Sequence, residues 1–562
     1  MQAPSRFIEP IVVLVAVAVR LLAWGSMEGT GFEDPVVDAF VYLAQARQLL
    51  TGEDPFAGGF YQPPGYPWLL SLELRVLGDD PARARLVNMV LGVLTTWLVA
   101  RLGKRMGGPW VGLVAGLVYT LYATTLLLEL DLLTPATTNF LLVVALYAVL
   151  GERTWARCAL AGGAMGVAVV VHPTFLVALV ALGAFLRGRD LGAFAVAAAL
   201  ALGPTTWTNI QAGHPALVSH NAGLNFYLGN NPDWKETAFL RPGIPFRRLV
   251  VEAEPDIRDQ YERNDYWSER ALDEISQDPA GFVGGLATKA LWSVNDREIP
   301  RNEDYRCRTD GGPMRWMAFL PARFGLVFPL AVLGMFVAWR KRRELPWLWL
   351  ALQAPMVLFL VADRYRVATW PVVALLAGMG LVRAVELLVA RRWNRAWVVL
   401  ALAAALPWIP IDQVTARQEG WCLHGEANLA FSRGDFEGAQ ELYLSAARRE
   451  PEEPGHWYWL GETRVRLGET EGAIDAFEVV VQDFPDHFGT RMALQKELGR
   501  LERFSEAADH AGAACAIPGP RDNTCARWLE LLVKAGRRTE AEAVLQERPE
   551  LRSHHRVRDL GW

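Results

Sequence analysis

Three groups of residues in this chain carry side chains that could do chemistry together. The first is acidic and aromatic. Glu33-Asp34 is followed by Asp38-x-x-x-Tyr42 and then by Tyr61-Gln62-Pro63-Pro64-Gly65-Tyr66-Pro67. Residues four apart share a helix face, so a helix over 36–51 sets the Asp38 carboxylate beside the Tyr42 phenol, with Ala39, Leu43 and Ala46 on its apolar side. Glu33, Asp34 and Asp38 are the catalytic candidates, and Tyr42 and Tyr66 are candidates for holding a ligand. The second group is Glu129 and Asp131, at the end of an apolar run; with Asp38 they could complete an acidic site, and an Asp38/Glu129 pair could hold a divalent ion. The third group is cationic. Arg364 and Arg366 in Asp363-Arg364-Tyr365-Arg366 can fork onto phosphate oxygens. Arg20 lies inside the first apolar run, where an arginine is costly and reads as functional, although near the end of a span it can also snorkel. The bland readings are a capping or solvated Asp38, headgroup-anchoring arginines, and a packing role for His172. Carboxylates beside a rigid Pro-Pro-Gly turn at the mouth of an apolar bundle describe an enzyme working at a membrane surface.

The elements that must position these groups are apolar helices. The chain has 562 residues, 52% of them hydrophobic, with 22 Trp. A bilayer span takes about 20 apolar residues. On that rule about eleven spans are expected, at 8–25, 86–101, 108–127, 132–150, 157–171, 173–186, 191–209, 317–339, 346–362, 367–387 and 396–411. Arg101/Lys104/Arg105, Arg153/Arg157, Arg187/Arg189, Arg340 to Arg343 and Arg391/Arg392/Arg395 fall in alternate short loops, and positive loops stay cytoplasmic. The N-terminus is then cytoplasmic, while loops 26–82 and 210–316, the turn at Asp363–Arg366 and the tail after 411 face outward. Span 1 lacks an A-x-A-like site and its core is long for a signal peptide, which favours an uncleaved helix. In the long loop, His220 to Pro232 is dense in Asn, Gly and Pro, which predicts a fixed, turn-rich backbone, and the amides of Asn225, Asn230 and Asn231 suit sugar hydroxyls. A net charge of −5 and the lack of a basic groove argue against a nucleic-acid partner. The five Cys show no metal spacing; Cys515 with Cys525, and Cys307 with Cys422, are candidate bridges.

From 412 to 562 the composition turns polar and repeats. Ala439, Ala473, Ala507 and Ala541 recur every 34 residues, as do Tyr443 and Phe477, Leu460 and Leu494, and Pro451 and Pro485. This resembles the tetratricopeptide repeat, an α-solenoid. Such arrays bind peptides or partner proteins in a concave groove, and a plain solubilising cap is the alternative.

Taken in order, the motifs of residues 1–411 resemble the GT-C fold glycosyltransferases, in the branch of protein O-mannosyltransferases and lipid A aminoarabinose transferases. The resemblance rests on Asp38-x-x-x-Tyr42, Pro63-Pro64-Gly65-Tyr66-Pro67, Ala84-Arg85-Leu86-Val87-Asn88, Asn225 to Pro232, Glu298 to Tyr305 and Arg364-Tyr365-Arg366 before Pro371. Many relatives carry an adjacent Asp-Glu pair in the first loop; here the order is Glu33-Asp34 with Asp38 displaced. The resemblance implies an all-α protein, a polytopic membrane domain joined to a soluble repeat domain. It further implies a polyprenyl-phosphate-linked sugar donor, a glycan, lipid or protein acceptor on the extracytoplasmic face, and inverting transfer. Asp38 would be the general base, and Arg364 and Arg366 would stabilise the leaving phosphate. Relatives mostly do without a metal. Ala- and Arg-rich usage suggests a bacterial inner membrane with the tail in the periplasm. A different class of function remains in view: a membrane-anchored repeat scaffold organising an envelope complex.

Overall fold

The computed structural model describes residues 7–27, 30, 35–56, 58–240, 243–249, 257, 259–301, 307, 312–392, 395–517, 522–558 and 560. Among them every regular element is helical. The chain divides into two compact units, one of Met1–Phe239 with Ile257–Ile411, the other of Leu240–Asp256 with Asp412–Trp562.

The first unit is an integral-membrane bundle. Ile8–Gly25, Pro81–Gly107, Gly188–Gln211, Phe324–Lys341 and Asp363–Val389 are long and apolar enough to cross a bilayer. The bent pair Pro109–Thr120 and Ala123–Leu130, broken by 54°, makes a sixth if counted as one span. Pro135–Val149, Trp155–Val171, Pro173–Gly183 and Arg395–Trp408 are shorter apolar helices. The Asp363–Val389 helix is buried on all sides from Val372 to Gly380, which is what an all-apolar helix at the centre of a bundle requires.

Local sequence sets the boundaries. The Pro81–Gly107 helix starts where the Asp80 carboxylate accepts from the Ala82 amide and Pro81 takes the first turn. The Trp155–Val171 helix starts on a Thr154 cap and stops at His172, because Pro173 drives the preceding residue into extended backbone. Two helices shape the first loop, Asp38–Thr51 and Gly65–Leu77. The Asp38–Thr51 helix buries Ala39, Leu43 and Ala46, the apolar side read from the sequence.

The long loop corrects one expectation. Its Asn-rich stretch is not turn-rich: Ala222–Asn230 is a helix, and Gln260–Gln277 and Pro279–Ser293 follow. The asparagine amides turn back onto their own backbone. Asn225 donates to the Asn221 carbonyl (2.9 Å), Asn230 to Phe226 (2.8 Å) and Asn231 to Tyr227 (2.8 Å), so groups that usually break helices here bond four residues back.

The second unit stacks helix pairs. Ala439, Ala473, Ala507 and Ala541 are fully buried, with Tyr443 and Phe477 filling the space beside them. The lead-in pair is Asp412–Ser432 with Phe436–Arg449, and Pro454–Leu467 with Thr470–Asp483 follows. Cys515 and Cys525 form a disulfide, Cys307 and Cys422 are also oxidised, and Cys158 is a buried free thiol.

Candidate functional site

Asp38 opens its helix from an unusual residue. Val37 holds φ 51°, a left-handed conformation that a β-branched side chain resists, and such strain persists only where the surroundings impose it. The Asp38 carboxylate is ion-paired to Arg364 Nη1, across 326 residues of sequence. Arg364 Nη2 also donates to the Tyr365 hydroxyl (3.2 Å), while its Nε is buried with no protein acceptor. The Asp363 amide donates to the Ile299 carbonyl (2.8 Å), which ties this turn to the end of the long loop.

A wall of phenols leads away from this pair. The Tyr42 ring stands edge-on to Tyr66 at 5.4 Å. Burial, reinforced by the Asp38 charge, pushes the Tyr42 hydroxyl up from its ordinary range, so it stays protonated. Burial does the same to Tyr66, whose oxygen accepts from Asn88 Nδ2 (3.4 Å). Asn88 also reaches the Asp131 carbonyl (3.2 Å). On the same helix as Tyr66, burial pushes the Glu73 carboxyl up to about 7.

Sequence reading gave His172 a packing role, yet the structure brings it to the site. Its ring lies edge-on to Tyr365 at 5.5 Å, and Nδ1 meets the Thr174 hydroxyl at 2.7 Å. Burial, then the Arg364 charge, lowers its pKa to about 3, so the imidazole is neutral at working pH. The Pro63-Pro64-Gly65 turn docks against the same corner. A Cβ at Gly65 would lie 2.7 Å from the Val170 and Val171 backbone, so only glycine admits the approach. The signal available in the sequence was the Val171-His172-Pro173 break itself, which places a polar ring where two helices must part.

The other candidates have partners of their own. Arg20 and Glu129 are both buried and bind each other: Nε donates to Oε2 (2.7 Å) and Nη2 to Oε1 (2.8 Å). Arg20 Nη1 adds Thr120 Oγ1 (2.8 Å) and the Ala16 carbonyl (3.1 Å). Each Glu129 oxygen thus accepts from Arg20, and the described contacts of Glu129 are with Arg20 rather than with Asp38. Arg366 is 1% exposed, and its Nε, like that of Arg364, is buried with no protein acceptor. It donates to the carbonyls of Asn295 (2.7 Å), Trp292 (3.0 Å) and Arg297 (3.3 Å), and pairs with Glu298 at 3.4 Å. Glu298 in turn accepts from the Tyr122 hydroxyl, whose ring stacks on Trp370 at 3.9 Å. Arg366 thus clamps the 292–298 segment of the long loop. Asn230 Oδ1 accepts from the buried Lys289 (2.8 Å), and Asn231 donates to Thr237 (2.7 Å), so these amides serve the fold of the long loop. Glu33 and Asp34 lie outside the described residues. Among the described residues no three His, Cys, Asp or Glu side chains are grouped to hold a metal.

The arrangement can take a proton at Asp38 and offer a positive charge at Arg364, within a wall of neutral donors. Residues 61–201 match the family model described as dolichyl-phosphate-mannose-protein mannosyltransferase, and residues 424–488 match a tetratricopeptide repeat model. The first match starts at Tyr61 and takes in Gly65, Tyr66, Asn88 and His172; Asp38 and Arg364 lie outside it. One curated relative, a protein CTR9 homolog of Arabidopsis thaliana, is 31% identical over 106 residues, 18% of this chain and 10% of that protein. The chain thus spans about a tenth of that relative's length. Among solved structures, ArnT from Cupriavidus metallidurans bound to undecaprenyl phosphate is 15% identical, covering 89% of this chain and 79% of that one at a TM-score of 0.35. Oligosaccharyltransferase AglB from Archaeoglobus fulgidus, in complex with an inhibitory peptide and a dolichol-phosphate, is 16% identical over 73% of this chain and 55% of that one, TM-score 0.38. The chain thus joins a helical membrane bundle, similar over residues 61–201 to that mannosyltransferase family model, to a helical array similar over residues 424–488 to the tetratricopeptide repeat.

Proposed function

We propose that this protein is an integral-membrane glycosyltransferase that moves a sugar from a polyprenyl-phosphate-linked donor to an acceptor hydroxyl on the extracytoplasmic face, with the Asp38–Arg364 pair as its reacting centre. The single observation that carries the reading is that pair: a carboxylate on a strained helix start, bound to an arginine whose Nε retains an unused donor. The acceptor oxygen attacks the anomeric carbon while the bond from that carbon to the phosphate oxygen breaks, which inverts the centre. Asp38 takes the proton from the attacking hydroxyl. The ion pair with Arg364 orients the Asp38 carboxylate in the resting site. The Arg364 Nε–H is aimed to stabilise the negative charge that develops on the departing polyprenyl phosphate. A phosphate leaves as an anion without protonation, so the second carboxylic acid of a glycosidase is not needed. The neutral Tyr42 and His172 orient hydroxyls without competing for the proton, and Arg366 serves by fixing the long loop over the site. The family model over residues 61–201 supports a dolichyl- or polyprenyl-type donor. A bacterial inner membrane, with the repeats in the periplasm, fits the placement of the positive loops.

Mass spectrometry of intact envelope glycans and glycoproteins tests this in cells carrying wild type, Asp38→Asn or Arg364→Ala. Both variants are expected to accumulate normally and lose the same single sugar increment. Unchanged glycans in both variants contradict the reading and favour the scaffold.

A further inference from the structure

The repeat unit contains a piece of sequence that does not belong to the repeats. Leu240–Asp256, from the middle of the long loop, clusters with Asp412–Trp562. Its short helix Ile244–Arg247 packs against the Pro454–Leu467 helix of the array. The contact is specific in kind. The Arg248 guanidinium lies over the Phe484 ring at 5.2 Å, and Nη1 donates to the Asp483 carbonyl at 2.8 Å. Asp483 ends a repeat helix, where carbonyls lack intrahelical donors and the helix dipole is negative, so a cation is favoured there. The next residue supplies the aromatic face for a cation–π contact. Beside it His487 stands edge-on to Tyr458 at 5.5 Å. Burial, then the Arg247 charge, lowers His487 to about 4, so a neutral ring sits next to the arginines. The segment itself, Gly243-Ile244-Pro245-Phe246-Arg247-Arg248-Leu249, has the composition of a peptide ligand: apolar anchors, a proline and two cations.

We propose that the corner of the array formed by Asp483, Phe484 and His487 is an arginine-binding peptide site, and that its resident occupant is the chain's own segment 243–249. The array then acts first on its own loop. A partner enters this corner only by displacing that segment, and the partner it fits is an extended peptide bearing an arginine next to an aromatic or aliphatic residue. The proposal stands whether or not the membrane unit transfers sugar, because its test reads binding alone.

The probe is a fluorescent synthetic peptide of residues 240–256 added to the purified full-length chain in detergent. In wild type the site is filled. In the Arg247→Glu/Arg248→Glu chain the resident segment is repelled and the corner opens. The peptide is expected to bind that variant at least about tenfold more tightly than wild type, a difference of about 1.4 kcal/mol. Adding Phe484→Ala to the variant should abolish the gain, with helical circular dichroism unchanged. Equal affinity for wild type and variant, no binding to either, or a gain that survives Phe484→Ala overturns the proposal.

Discussion

At the scale of single residues, the site depends on which groups stay neutral. Asp38 is the anion, Arg364 the cation, and Tyr42, Tyr66 and His172 surround them uncharged. His172 ties protonation to stability. Its pKa is lowered from 6.5 to about 3 in the folded chain, so the unfolded chain binds the extra proton first as pH falls. The cost is absent above about pH 6.5 and grows towards pH 3. His172→Phe should therefore flatten the fall in thermal midpoint of the full chain between pH 7 and 4; an identical slope in both proteins refutes a buried neutral His172. The same variant should slow transfer without shifting its pH profile above pH 6, because the ring carries no proton to lose there. Sequence reading selected Asp38, Tyr42 and Arg364 by residue type and spacing, and the structure brings these side chains together. That reading passed over His172, since a lone imidazole at a helix break shows its neighbours only once the chain is folded.

At the scale of helices, the sequence marked charged residues inside apolar runs but not their partners. Arg20 and Glu129 looked like ligand-binding groups from type and depth. They are 109 residues apart in sequence and spend their donors and acceptors on each other between helices. Gly92 makes room for the pair: a Cβ there would lie 2.3 Å from Glu129 Oε2. Breaking one side of a buried ion pair strands the other charge, at about 3–5 kcal/mol. Arg20→Met or Glu129→Leu alone should lower the melting temperature of the detergent-solubilised chain sharply, and the double variant should regain most of it. If the double variant is no better than the sum of the singles, the pair is not the unit described. The same lesson holds for Arg366. Its motif suggests a phosphate fork, and type alone does not reveal that its guanidinium also pins residues 292–298. Asn225, Asn230 and Asn231 were read as turn formers; their amides bond back along a helix instead, a choice that local composition does not reveal.

At the scale of the whole molecule, periodicity was the most legible signal. A 34-residue step in Ala, aromatic and Pro positions specifies a helix-pair array, because each pair must bury one face against the next. Apolar stretches located the membrane helices: among the described residues five, or six with the bent pair, meet the length and hydropathy of a full span, and shorter apolar helices occupy four more of the expected spans. The division into units held a surprise that no pattern encodes: residues 240–256 cluster with repeats that begin more than 150 residues later. We propose that the first unit transfers a sugar from a polyprenyl phosphate with Asp38 as base. The most direct test uses purified full-length chain and a synthetic polyprenyl-phosphate hexose with an acceptor extract, reading release of polyprenyl phosphate. Alongside it, binding of polyprenyl phosphate is measured on the same preparations. Asp38→Asn is expected to bind the lipid phosphate as wild type does and to lose about a hundredfold or more of the release rate. An Asp38→Asn chain that releases polyprenyl phosphate at the wild-type rate would contradict it.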